Sequence, residues 1–140
     1  MWRELIAELY PDHAFRVGGS DAAIQECEAA LGTVLRPDLR ALLRETDGAT
    51  GAFGLGLVWP VSRILTENIR HRTAPIFEKF MPFDSLLFFG DSGTGDKYAF
   101  PLRTAPERLD DIFCWDHEDD SRRWIAPDLR TYLRWVAASE

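Results

Sequence analysis

Segments with helical spacing fill the chain before residue 50, short strand-like runs stand at 53–59 and between 86 and 125, and a last helical stripe closes it. That order predicts an α+β fold: a mainly antiparallel sheet of about four to six strands, flanked by N-terminal and C-terminal helices. At 140 residues the whole chain is read as a single domain. A hydrophobic fraction of 46%, with five Trp and nine Phe, supplies a large core and excludes a disordered chain.

The elements follow in order. Trp2, Leu5, Ile6 and Leu9 recur at helical spacing until Pro11. Ser20 or Asp21 caps a second helix with the stripe Ile24, Cys27 and Leu31, and Gly32 is its stop. A third helix opens near Pro37, carries Asp38 in its first turn, buries Leu39, Leu42 and Leu43, and ends at the Asp47-Gly48 turn. Alternation then puts Phe53, Leu55, Leu57 and Trp59 on one face of a strand. Gly54 and Gly56 on its other face leave room for a close approach.

Residues 61–82 fix no element, although Ile64, Leu65 and Ile69 have the spacing of a helical turn and the segment is locally basic. Strands are expected at Leu86–Phe89, along Tyr98, Phe100 and Leu102, at Ile112–Trp115 and briefly at Trp124-Ile125. Pro101 places the second of these at an edge or near its own end. Pro127 opens a final helix burying Leu129, Tyr132, Leu133 and Val136.

Charge is unevenly spread. Between Asp84 and Asp120 stand ten acids and three bases, a surplus of seven that equals the whole net charge of −7. A localised negative field favours a basic partner and argues against nucleic acid, whose phosphates it repels. No apolar run approaches the roughly 20 residues of a membrane span. The opening residues lack a secretory pattern, since Glu4 and Glu8 interrupt any apolar core, and two cysteines suit buried thiols better than a disulfide framework. The expected compartment is therefore the cytoplasm. Nothing in the pattern sets monomer against dimer.

Two motifs in the acidic stretch invite chemistry. The Gly90-Asp91-Ser92-Gly93-Thr94-Gly95-Asp96 turn has the glycines of a phosphate cradle but no Gly-Lys-Ser/Thr ending, and two carboxylates flank it. It also lacks the alternating ligands and closing Glu of a calcium loop. A glycine-rich hairpin turn accounts for it. In Asp116-His117-Glu118-Asp119-Asp120, neighbouring side chains on an extended segment point to opposite sides and rarely converge on one ion. The serines sit in no nucleophile elbow, and no spaced Cys/His set is present. We therefore expect no catalytic residue, metal or cofactor. A metal-dependent hydrolase built on Asp91, Asp96, Asp116 and His117 is the minor alternative.

The order of motifs resembles the SUKH superfamily in its cell-wall-assembly-regulator (Smi/Knr-like) branch. The first half resembles it at Ile24, Glu28, Leu31-Gly32, Leu35, Asp38-Leu39, Leu42-Leu43 and Asp47-Gly48, and the middle at Trp59-Pro60 and Asn68. The second half resembles it at Phe89-Gly90, Gly93, Gly95-Asp96 and Trp115-Asp116-His117-Glu118, with Leu129 and Leu133 in the closing helix. The family usually has Leu-Pro before the third helix; here Arg36 intervenes and shifts the expected helix start by a residue. Gly32, Gly48, Gly90, Gly95 and Trp115 are taken as structural motif positions. The resemblance implies a non-enzymatic protein-binding domain. Its bacterial members are immunity proteins that bind and block a toxin, commonly a nuclease or deaminase, and its fungal relatives are linked to cell-wall synthesis and signalling. Joined to the charge map, it makes the expected partner a basic toxin domain, with a regulatory or scaffolding module as the alternative. The residues expected to face that partner are Asp91, Asp96, Asp116, Glu118, Asp119 and Asp120, with Tyr98 or Trp124 as the aromatic anchor.

Overall fold

The computed structural model describes residues 1–139. Among the described residues, five helices and two antiparallel sheets form one α+β domain. The helices are α1 (Trp2–Leu9), α2 (Asp21–Leu31), α3 (Pro37–Glu45), α4 (Val61–Thr73) and α5 (Leu129–Ser139). Strands β1 (Ala14–Phe15), β2 (Ala49–Thr50) and β3 (Gly56–Val58) make a small sheet. Strands β4 (Leu86–Asp91), β5 (Lys97–Pro101), β6 (Ile112–Trp115) and β7 (Arg122–Ala126) make the larger one, in simple meander order.

Local signals account for most boundaries. Ser20 Oγ accepts the Ala23 N–H at the start of α2, and Gly32 ends it in the left-handed region at φ 69°. Pro37 begins α3 with Arg36 as its cap, so the inserted residue sits just outside the helix. Pro127 does not open α5. Asp128 does so, accepting the Thr131 N–H at 2.7 Å. Pro101 is the last residue of β5, which lies inside the sheet rather than at its edge.

The largest departure from the sequence reading is at residues 52–59. The expected strand begins only at Gly56, because Ala52–Gly54 form a tight 3-10 turn. Leu57, Val58 and Trp59 are all buried, so no face alternates. Gly56 serves a close approach within the domain: a Cβ there would lie 2.8 Å from Asp91 Oδ2. The unassigned segment 61–82 becomes α4 and a 3-10 turn over Pro75–Phe77.

The two sheets meet where β3 runs beside β4. The register of β4 with β5 shifts between Phe88 and Gly90, which leaves Phe89 without a register partner. Its carbonyl turns outward and accepts the Trp59 N–H at 2.7 Å. Gly90 then lets the backbones meet, since a Cβ there would stand 2.4 Å from Leu57 O. On one face of the larger sheet α5 packs Tyr132 against Phe89 and Tyr98, with ring centroids 5.1 and 5.0 Å away. The Tyr132 hydroxyl donates to Leu57 O at 2.7 Å. On the other face α4 lays Asn68 along β4. The Asn68 amide donates to Phe88 O and Ile64 O, and its Oδ1 accepts the Phe88 N–H. The outer edge of β4 is thereby paired by one side chain and one backbone amide.

His71, one turn further along α4, is buried among Phe77, Phe83, Phe88 and Trp115, with centroids 4.2 to 5.7 Å away. Its Nδ1 donates to Glu67 O, and Nε2 has no hydrogen-bond partner among the described residues. Burial pushes its pKa from the ordinary 6.5 down to about 4. The sign follows: between those values the unfolded chain binds the proton and the folded one does not. Stability conferred by the neutral ring is therefore whole above pH 6.5, declines as pH falls, and is lost below about 4. The total is on the order of 3 kcal/mol. Equilibrium denaturation across that window should show a decline that His71→Leu flattens; equal slopes in the two proteins would refute it.

Candidate functional site

The turn from β4 to β5 and the turn from β6 to β7 lie at the same end of the larger sheet, as a meander requires. That topology divides the acidic stretch. Asp84, Glu107, Asp110 and Asp111 fall outside this end; Asp110 is paired with Arg36 at 2.9 Å and Asp111 with Arg108 at 3.7 Å. Asp91, Asp96, Asp116, Glu118, Asp119 and Asp120 gather at it.

These six carboxylates are not equivalent. Asp91 is bound inward: Oδ2 accepts from Trp59 Nε1 at 2.6 Å, Oδ1 accepts the Gly93 N–H, and the Arg63 guanidinium stands 3.2 Å away. Arg63 also lies over the Trp59 ring, 4.5 Å from its centroid. Asp91 thus fastens β4 to the segment after β3, its charge met within the chain. Asp120 is bound in the same way. Its oxygens accept from Trp115 Nε1, Met81 N–H and Arg122, at 2.7, 2.8 and 3.1 Å. Burial alone would raise its pKa, but those three donors hold it below the ordinary range. Asp120 itself has a left-handed φ of 62°. Sequence reasoning had placed both residues facing a partner; each is instead an internal tie.

Of the other four, only Glu118 and Asp119 are exposed. Asp96 Oδ1 accepts from His117 Nδ1 at 2.7 Å and from the His117 N–H, which links the two turns. Gly95, at φ 106°, makes this possible: a Cβ there would lie 2.9 Å from the imidazole. Asp116 Oδ1 accepts the Glu118 N–H, and Asp119 Oδ1 accepts the Ser121 N–H, which lowers the Asp119 pKa. Asp96 and Asp116 are half-buried. Lys97, a base beside them, lies with its amine 5.3 Å from the Trp115 centroid, and burial lowers its pKa.

Asp96, Asp116 and His117 bring one ligand atom each to within 4.8 Å of one another. Among the described residues this is the group able to hold a divalent ion. The fourth expected ligand, Asp91, is turned away into Trp59 and Arg63.

Of the two aromatic anchors expected, Trp124 is 49% exposed on β7, the outer strand of the sheet. Tyr98 is buried, edge-on to Tyr132 and Trp135, and is a core residue. The sequence reading missed Phe53. It sits at the tip of the 3-10 turn, fully exposed, with a left-handed φ of 56°. The signal was present in the three glycines at 51, 54 and 56, which mark a tip rather than a strand.

The structure is thus a meander backed by helices on both faces, with these side chains gathered at one end. The matching family model covers residues 18–135, and the chain belongs to the SMI1 / KNR4 family (SUKH-1). No curated protein sequence matches it. Among the described residues, no helix is long and apolar enough to cross a membrane.

Proposed function

We propose that this domain is a non-enzymatic binding module of the immunity type, which blocks a basic toxin domain by presenting carboxylates to it. The observation that carries the reading is the gathering of exposed Glu118 and Asp119 beside half-buried Asp96 and Asp116 at one end of the sheet. Family membership supports a protein partner rather than a small substrate. A nuclease or deaminase holds its substrate's phosphates in a basic groove. Carboxylates offered to that groove steer the encounter and compete with the substrate. Exposed ion pairs contribute only about 0 to 1 kcal/mol each, so the field sets rate more than affinity.

Reversal of the two exposed acids, Glu118→Lys with Asp119→Lys, tests this while leaving Asp120 in place. With the partner captured from the host and purified, the association rate at low salt should fall at least about tenfold, and its salt dependence should flatten. An unchanged rate and slope would remove this surface as the contact. The convergence of Asp96, Asp116 and His117 favours a second reading, a metal-assisted hydrolase. Calorimetric titration with Mg²⁺, Mn²⁺ and Zn²⁺ decides it; heat for none of the three eliminates it.

A further inference from the structure

Beside Phe53 lies an open cavity of about 570 Å³, walled by Phe53, Leu55, Gly56, Arg63, Asp91 and Gly93 among others. Its contents are unusual for a surface hollow. One wall is an aromatic ring with its whole surface in water. That ring is carried on a left-handed backbone, which costs a bulky residue roughly 1–2 kcal/mol relative to the ordinary regions. Burial of the ring does not offset that cost within the domain, because the ring is exposed. Strain of this kind concentrates where a side chain is held out for use.

The cavity is also continuous with the acidic end. The Cβ position of Gly93 is 3.3 Å from Leu55 Cδ1, so the β4–β5 turn closes one side of the hollow. The same turn ends at Asp96, bonded to His117, beyond which stand Asp116, Glu118 and Asp119. A strip therefore runs from an exposed ring and an apolar hollow, over glycine backbone, to four carboxylates.

We infer that Phe53 and the hollow beside it are the apolar anchor of the partner-binding surface, and that they receive an aliphatic or aromatic side chain flanked by Lys or Arg on a basic protein. The inference rests on the reading of this domain as a binder of a basic partner, and it assigns the hot spot that the charges cannot supply. Charge complementarity selects the occupant. Phosphate-bearing surfaces, whether nucleic acid or anionic lipid, are repelled by the adjacent carboxylates, whereas a cationic protein segment is drawn to them. The size of the hollow lies within the range of roughly 300–1,000 Å³ typical of sites that enclose a small ligand group.

The test pans a displayed library of short random peptides on the intact domain, and then measures the affinity of the enriched peptides for variants. Phe53→Gly removes the ring and relieves the strained backbone, so its melting temperature should rise by a few degrees while peptide affinity falls roughly 30-fold. Phe53→Tyr should retain binding. Enriched peptides should combine an apolar side chain with Lys or Arg, and should bind less well to the Glu118→Lys, Asp119→Lys variant. Basic peptides that lose affinity on charge reversal but keep it with Phe53→Gly overturn the anchor and leave the acidic contact standing. Peptides without basic residues that still require Phe53 overturn the assigned occupant and count against the acidic reading as well. No enrichment over an unrelated control protein overturns the site.

Discussion

Asn68→Ala should lower the unfolding free energy by about 3 kcal/mol, a large share of the 5–15 kcal/mol that holds a typical domain together. Asn68 is almost fully buried, and its amide answers both the N–H and the carbonyl of Phe88 on the outer edge of β4. Alanine leaves both groups buried with nothing to bond. Each orphaned group costs about 1–3 kcal/mol, because its desolvation is no longer offset. Asn68→Asp should be at least as harmful, since the carboxylate loses both donations and places a charge where Asn68 is almost fully buried. Chemical denaturation measures the effect. A shift of less than about 1 kcal/mol for Asn68→Ala would mean that the edge of β4 finds other partners.

Gly90→Ala is the second large effect. Substitution here strikes backbone, not a movable side chain: the new methyl would sit 2.4 Å from Leu57 O and 3.1 Å from Gly56 O. The two sheets must part to admit it, and the neighbouring Trp59 N–H bond to Phe89 O parts with them. Overpacking of this kind costs about 1–3 kcal/mol even where side chains can yield, and a backbone clash belongs at or above the upper end. The melting temperature should fall by roughly 10 °C. Near-ultraviolet dichroism should report a loosened Trp59, whose indole is fastened to Asp91 on the same seam. A variant that melts within about two degrees of the parent would contradict this account of the seam.

Both positions show where sequence pattern and structure agree and where they part. Helices α2 and α3 were legible because their signals are local: a capping serine, a stopping glycine and a proline at the first turn. Strands β4 and β6 were legible as short apolar runs, and β5 by the alternation of Tyr98, Phe100 and Leu102. The 52–59 segment was misread because alternation of Phe53, Leu55, Leu57 and Trp59 imitates a strand, whereas the glycines between them serve a tight turn and a close approach by Asp91. β1 and β2, of two residues each, carry no pattern long enough to see.

The acidic surplus between Asp84 and Asp120 was legible by counting, and the meander of the structure returns its alternate turns to one side. The division of the acids into internal ties and exposed groups was not legible, since it depends on Trp59, Arg63, Trp115 and Arg122, which lie two to thirty-two positions away in the chain. Tyr98 was misjudged for a related reason: its neighbour in space is Tyr132 of α5, which no local window contains.

The bonding of Asp120 divides the β6–β7 turn into two halves with different freedom to vary. Three acids stand in a row at residues 118 to 120, yet only the last holds Met81, Trp115 and Arg122 in place. Glu118 and Asp119 are therefore open to replacement at little thermodynamic cost, whereas change at Asp120 weakens the fold. Under the function proposed above, one half of the loop can diversify while the other half stays frozen.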